Sequence, residues 1–379
     1  MNLLLTEEEA ILKRGAHEFF AARLPVKSLR ALRDSNAAEG FERAAWQEMA
    51  ELGWAGVLLP ESYGGSAMGY KGLGQVLEES GRTLAASPLF ATILAGAPLV
   101  LAGASEALKQ TLLPAVASGE CLLALALDEH PRHAPSRIAT RAVRSGASYR
   151  LNGSKMLVLD GHVADYIVVV ARTSGADTDP QGLTLFLLDG DADGLTRTRT
   201  HMVDSRNAAH LVMADVEVGN DRVLGGVDQG HALLEPVLDG ARAGLAAEML
   251  GSGMEAFERT VSYLKLREQF GQKIGAFQAL KHRAALMYCE LELTRSAVIA
   301  ALCAIDESRA DIAALASLAK AKACDMLELV TNEAVQLHGG IGMTDDEEIG
   351  FFLKRARVQQ QIFGDASFHR DRYAALMAF

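Results

Sequence analysis

The sequence predicts an α+β fold that is mostly α. A helical N-terminal domain is expected over residues 1–120, a middle antiparallel β-barrel or sandwich over 121–228, and a C-terminal four-helix bundle over 229–379. Three observations carry this expectation. Helical periodicity fills the first third of the chain. It gives way at Cys121 to short apolar runs divided by turn residues. It returns near His231 and persists through Ala-, Leu- and Met-rich stretches long enough for bundle helices. At 379 residues the chain is also too long for one ordinary core.

Each element has its own signal. Thr6-Glu7-Glu8-Glu9 reads as a capping box, the threonine hydroxyl taking an early backbone N–H and Glu9 reaching back. Leu12, Ala16, Phe19 and Phe20 then share one helical face. Gly53 to Pro60, followed by Tyr63-Gly64-Gly65, is a compact turn. Leu73–Gly81, Leu89–Gly103 and Glu106–Ala117 resume the helical pattern. In the middle, Cys121–Leu127 is an apolar run, and Tyr149–Gly153 is expected to carry a hairpin turn. Asp165–Arg172, Leu183–Asp189 and His210–Val218 read as strands, with a polar loop at Ser174–Gly182. Ala246–Arg267, Phe277–Ser308 and Asp311–His338 are the bundle helices, and their short connections favour antiparallel neighbours. Thr344-Asp345-Asp346-Glu347 reads as a second capping box, and Asp365 as the N-cap of a last helix over Ala366–Met377.

Composition excludes several functions. A net charge of -11 argues against nucleic acid as a partner, because a reader of phosphate backbones needs a basic face. No apolar run is long enough for a bilayer, so no membrane role is expected. The opening Met1-Asn2-Leu3-Leu4-Leu5 turns acidic at once and lacks a basic, cleavable leader, which makes a cytoplasmic protein the default. Cys121, Cys289, Cys303 and Cys324 have no paired spacing and read as buried small hydrophobes in a reducing compartment. His130 and His133 form an H-x-x-H, but Pro131 spoils a helical ligand pair. A solvated loop and no metal site are expected there.

The chemistry is concentrated near the C-terminus. Arg267-x-x-Phe270-Gly271-x-x-Ile274-Gly275-x-Phe277-Gln278 is followed by Gln336-x-x-Gly339-Gly340-x-Gly342. Arginine offers a planar fork to phosphate oxygens. Glycines cap a helix in left-handed conformation and let a phosphate or sugar come close. His338 beside them reads as a packing or capping residue. These two segments resemble the flavin-binding signature of the acyl-CoA dehydrogenase family. Leu5-Thr6-Glu7-Glu8, Leu52-Gly53 through Gly64-Gly65, and Leu151-Asn152-Gly153-Ser154-Lys155 match further family landmarks, so the resemblance spans nearly the whole chain. In detail it is closest to the bacterial subgroup containing the small subunit of pimeloyl-CoA dehydrogenase, whose members tend to end in a Phe-Gly-Asp segment.

The resemblance implies FAD as cofactor, held in part by Arg267, Phe270, Gln278, Gln336, Gly339 and Gly340, with the arginine meeting a flavin bound mainly by a neighbouring subunit. It implies removal of an α-proton from an acyl-CoA thioester while a β-hydride goes to flavin N5, and electrons then pass to an electron-transfer flavoprotein. Arg242 is similar to the family arginine that holds CoA or the base. The base itself is missing. The family places a glutamate beside a C-terminal glycine, where this chain has Phe363-Gly364, or before an arginine on the first bundle helix, where it has Ala241-Arg242. Asp365 is the nearest acid to the usual site and the candidate base; Glu248, two turns along the helix, is expected to meet a bundle neighbour. A loop reading Leu127-Asp128-Glu129-His130-Pro131 replaces the family's Thr-Glu-Pro-Gly-like loop, and Leu157 stands where a flavin-shielding tryptophan is usual. Two arrangements follow: a homo-oligomer (dimer or tetramer) with an unorthodox base, or a heterotetramer with a homologous large subunit. The alternatives are another flavoenzyme of this fold, nitroalkane oxidase-like with an aspartate base, or a non-catalytic companion that completes a partner's flavin site.

Overall fold

The computed structural model describes residues 4–379; Met1–Leu3, which open the segment read above for a leader, lie outside the described residues. The helices are α1 (Glu7–Arg23), α2 (Val26–Ser35), α3 (Arg43–Glu51), α4 (Gly69–Arg82), α5 (Ala97–Gly103) and α6 (Glu106–Ala117) before the sheet. After it come α7 (Gly230–Leu266), α8 (Gln278–Asp306), α9 (Ile312–His338), α10 (Ile349–Gln361) and α11 (Ala366–Leu376). Thr6 caps α1 as expected, accepting the Glu9 N–H at 3.2 Å while Glu9 accepts the Thr6 N–H at 2.7 Å. A π-helical turn at Phe90–Gly96 leads into α5. Apolar periodicity does not separate such a turn from an α-helix, so the sequence reads the stretch as one helix.

The strands are β1 (Leu123–Ala126), β2 (Arg141–Ser145), β3 (Ser148–Leu159), β4 (Tyr166–Arg172), β5 (Leu183–Asp189), β6 (Leu195–His201), β7 (Asn207–Gly219) and β8 (Val223–Leu224). They form one sheet in the order β6-β7-β3-β2-β4-β5-β8, with β1 also pairing β4. Antiparallel pairs dominate, and parallel pairing enters at β1–β4 and β2–β4. A minor hairpin, β9 (Glu268–Gln269) and β10 (Gln272–Lys273), follows α7.

The expected turn at Tyr149–Gly153 is corrected. β3 runs through it unbroken, and the chain reverses at Gly146-Ala147 instead. Gly153 is there for close approach: a Cβ on it would lie 2.5 Å from Thr140 Oγ1, and the strand pairing shifts register at this point. The second capping box is corrected too. Thr344 donates its hydroxyl to Ile341 O at 2.7 Å, and α10 starts later, after Glu348, without a side-chain cap.

Two compact units result. One joins the segment through Ala31, Tyr70–Ala85 and Arg242–Phe379; the other joins Leu32–Gly69 and Ala86–Ala241. In the first, α4 crosses α7 with backbones in contact. A Cβ on Gly81 would lie 2.0 Å from Glu248 O, and one on Gly251 would lie 1.8 Å from Glu78 O. In the second, β4 and β5 are buried almost end to end, which explains their unbroken apolar runs. Cys121, Cys303 and Cys324 are buried, but Cys289 is exposed on α8, because its position in the helical turn faces away from the bundle core. Among the described residues no helix is long and apolar enough to cross a membrane.

Candidate functional site

In the bundle unit the sequence-selected residues fall into two groups. The first gathers at one end. α7 finishes at Leu266, and Arg267 N donates to Tyr263 O at 2.9 Å. The hairpin β9–β10 then turns through Phe270 (φ 53°) and Gly271 (φ 79°). Two successive left-handed residues make the tight reversal that suits a two-residue hairpin. The turn thrusts Phe270 into solvent at 90% exposure, with its ring 6.2 Å edge-on from Phe277. Gln278 opens α8 directly after it. The end of α9 lies alongside: Tyr263 stacks on His338 at 4.5 Å, and Arg283 of α8 pairs with Glu333 of α9. His338 is buried and its Nδ1 bonds Ala334 O at 2.7 Å, a packing role as expected. Gly339 terminates α9 with φ 66°.

Arg267, Phe270, Gln278, Gln336, Gly339 and Gly340 are thus brought to one end of the bundle, and all are exposed. Nothing lies within 4 Å of a Cβ built on Gly339 or Gly340. Fork, amides and open glycine backbone suit a pyrophosphate arriving from outside the chain.

The second group lies far along α7. From Arg242 to Leu266 the helix is about 36 Å long at 1.5 Å per residue. Arg242 is fully buried, its guanidinium 5.7 Å from the centre of the Phe368 ring. Phe363 (φ 55°) and Gly364 (φ 105°) form the turn before α11. Both carbonyls of this turn are held. His369 Nε2 lies 3.0 Å from Phe363 O, and Lys320 Nζ donates to Gly364 O at 2.8 Å and to Gln360 O at 3.3 Å. Burial pulls the Lys320 amine downward, against the nearby Cys324 thiol and Asp365 carboxylate. Phe363 is itself buried. Asp365 accepts the Phe368 N–H at 2.8 Å and caps α11. Sequence reasoning missed Lys320, Phe368 and His369. A lysine within an alanine-rich helix carries no local mark of burial, and only the tertiary fold brings it to the turn. Glu248 does meet its bundle neighbours, accepting from Gln359 at 3.1 Å with Arg355 at 3.5 Å.

In the sheet unit, the loop after β1 is tied down. Glu129 accepts from Lys155 at 2.7 Å and from the N–H groups of Ala139 and Thr140 at 2.7 and 3.0 Å. Lys155 is wholly buried, and desolvation outweighs Glu129 to bring its amine down to about 8. Glu129 is held below the usual range by that ammonium and these donors, in spite of its own burial. The solvated loop expected around His130 and His133 is corrected: the His133 side chain is buried, with Nδ1 3.1 Å from both Asp128 oxygens. An aspartate five residues upstream gives the imidazole a partner that the H-x-x-H spacing conceals. Leu157 adopts φ 53° at an irregularity in β3 and stays partly exposed.

Comparison with known proteins gives three family matches in chain order. Residues 6–120 match the acyl-CoA dehydrogenase N-terminal domain, 132–216 the middle domain and 228–377 the C-terminal domain. The chain is 34% identical to a solved "Tcur3481-Tcur3483 steroid ACAD" variant, with a TM-score of 0.88 and 98% of each chain covered. It is 25% identical to a chain of the ChsE4-ChsE5 complex from Mycobacterium tuberculosis, with a TM-score of 0.89 and 100% and 99% covered. It is 28% identical over 363 residues, 94% of each chain, to the caffeyl-CoA reductase-Etf complex subunit CarC of Acetobacterium woodii.

Proposed function

Because the chain belongs to the acyl-CoA dehydrogenase family of flavoprotein oxidoreductases, we propose that it serves as the base-free small subunit of a heteromeric, FAD-dependent enzyme that desaturates an acyl-CoA thioester at Cα–Cβ. Its electrons pass to an electron-transfer flavoprotein. One observation carries the reading: the turn that holds the glutamate in the family here holds a buried phenylalanine, and the one acid beside it caps a helix. α-Proton abstraction from a thioester needs a desolvated carboxylate within reach of the α-carbon. On this reading the homologous large subunit supplies it.

The bound flavin supplies hydride acceptance at N5. This chain's part is to bind and orient it. Arg267 takes the pyrophosphate, Gln278 and Gln336 offer side-chain amides, Gly339 and Gly340 admit the backbone of the cofactor, and Phe270 covers its edge. The 36 Å of α7 between this end and Arg242 supports the view that the two groups serve different active sites (about 1.5 Å per residue). The Leu127–Pro131 loop in place of the family's Thr-Glu-Pro-Gly-like loop, and Leu157 in place of its tryptophan, support a flavin seated mainly on the partner. Arg242 remains the candidate for holding CoA. The similar structures include a named two-protein complex and the similar A. woodii protein is a subunit of an Etf complex, which favours both proposed partners.

The test is the visible spectrum of the chain alone and co-purified with a homologous large subunit, before and after anaerobic acyl-CoA. Flavin that bleaches only in the pair is the expected result. Bleaching by the chain alone would defeat the heteromeric reading and make Asp365 the residue to replace.

A further inference from the structure

Helix α8 carries an apolar pattern on two sides, and only one of them is covered. Met287, Leu291, Thr294 and Val298 form its buried face, and the helix packs against α9. On the other side Leu286, Cys289, Leu293, Ser296 and Ala300 follow one another at intervals of three, four, three and four residues. That is the heptad spacing of a helix that meets a second helix along a seam. Leu286 is 53% exposed and Leu293 56%.

No charge interrupts this side. The exposed residues of α8 between Ala285 and Ala300 are Ala285, Leu286, Tyr288, Cys289, Leu293 and Ser296. In a chain with 22% charged residues, a solvated helix face of this length, about 1.5 Å per residue, would carry several. The three charged residues of the stretch are spent within the chain. Glu290 pairs with Lys322 of α9, Arg295 with Glu78 of α4 at 3.3 Å, and Glu292 with Arg295 at 3.4 Å. Depletion of charge around exposed apolar side chains is the mark of an interface core.

The order of large and small side chains selects the occupant. With Leu293 as centre, Leu286 and Ala300 lie seven residues to either side, and Cys289 and Ala297 lie four to either side. A second α8 laid antiparallel across a two-fold axis at Leu293 therefore sets each Leu286 against an Ala300 and each Cys289 against an Ala297. Large side chains meet small ones, so the seam closes without voids. A parallel copy would set leucine on leucine and alanine on alanine, which crowds one layer and leaves a gap in the next. The antiparallel order also opposes the two helix dipoles. In such a two-fold contact one surface serves both chains.

We propose that the outer side of α8 is the contact between two copies of this chain, crossing antiparallel with Leu293 at the axis. The inference stands on α8 alone. It adds a self-contact to the pairing with a large subunit and does not depend on where the base for thioester chemistry comes from.

The experiment is sedimentation velocity of the full chain alone over roughly 1–100 µM, where self-association of micromolar strength or tighter is expected. Leu293→Glu sets two like charges together at the axis and should weaken the association by about a hundredfold. Leu318→Glu, at a 42% exposed leucine of α9, should leave it unchanged. Circular dichroism on each variant excludes unfolding as the cause. Register is read by cross-linking. Under mild oxidation Ala297→Cys should be trapped by Cys289 of the partner subunit, and Leu318→Cys should not. A chain that stays monomeric throughout, or a folded Leu293→Glu that associates like wild type, would overturn the proposal. So would Cys289 joined to Cys289 of the partner subunit, which needs a parallel contact. A monomeric wild type whose capture of the large subunit is lost in Leu293→Glu would hand the seam to that subunit instead. None of these readouts involves flavin, so their failure leaves the spectral test of the proposed function untouched.

Discussion

At the scale of the residue, Asp365 separates two chemistries. As an N-cap it needs a side-chain oxygen and no charge, and asparagine supplies that as well as aspartate. Asp365→Asn is therefore expected to melt like wild type, while Asp365→Ala loses about 1 kcal/mol. Turnover of the assembled enzyme should survive Asp365→Asn; its loss at unchanged melting temperature would restore the aspartate as base. The sequence exposed this position clearly, because a cap is a local pattern. It concealed Lys320, whose burial depends on α9 meeting the turn before α11. Lys155 gives a pH signature. Its amine falls to about 8 in the fold from a reference of 10.5. Between those values the folded chain holds fewer protons than the unfolded one, so this group's contribution to stability rises with pH across the window and is lowest below 8. The melting-temperature gap between wild type and Lys155→Met should shift in favour of wild type from pH 8 to 10; a flat gap would show that the amine keeps an ordinary proton affinity.

At the scale of the element, glycines tell structural from functional roles. Gly251 lies where α7 touches α4 backbone to backbone, so Gly251→Ala must push the helices apart. A loss of about 1–3 kcal/mol or more in chemical denaturation is expected. Gly340 has open space and ordinary φ, so Gly340→Ala should leave stability unchanged. Weaker flavin retention by the assembly, with no change in melting, would assign Gly340 to the cofactor; full retention would remove it from the site. Helices α6, α8 and α9 were legible in the sequence to within a residue or two, since a long apolar period needs no tertiary knowledge. β2 and β6 were not. Their outward residues are mostly arginines, threonines and a serine, and such polar runs resemble loops until their partners are known.

At the scale of the whole molecule, the three family segments were readable because their motifs are spaced in order along the chain. The compact units were not, since they are assembled from discontinuous segments and α7 belongs to both. The distribution of site residues predicts how damage should spread. Arg267→Ala is expected to fold normally and to lower flavin content in the assembly, while leaving acyl-CoA binding by a flavin-loaded partner intact. Arg242→Ala should do the reverse. Equal loss of both functions in either variant would mean that the two ends serve one site.

The unbroken run of α7 has a consequence for how such a chain can change over time. Each residue of a helix adds 100° of rotation. Removing one residue between Arg242 and Arg267 would shorten the helix by only about 1.5 Å but would swing its two ends round by more than a quarter turn. Removing seven returns the phase to within about 20°. On the proposed function, insertions and deletions in this helix are expected to be tolerated in steps of whole turns, with α7 as a toothed rod whose pitch, more than its length, sets the relative facing of its two ends.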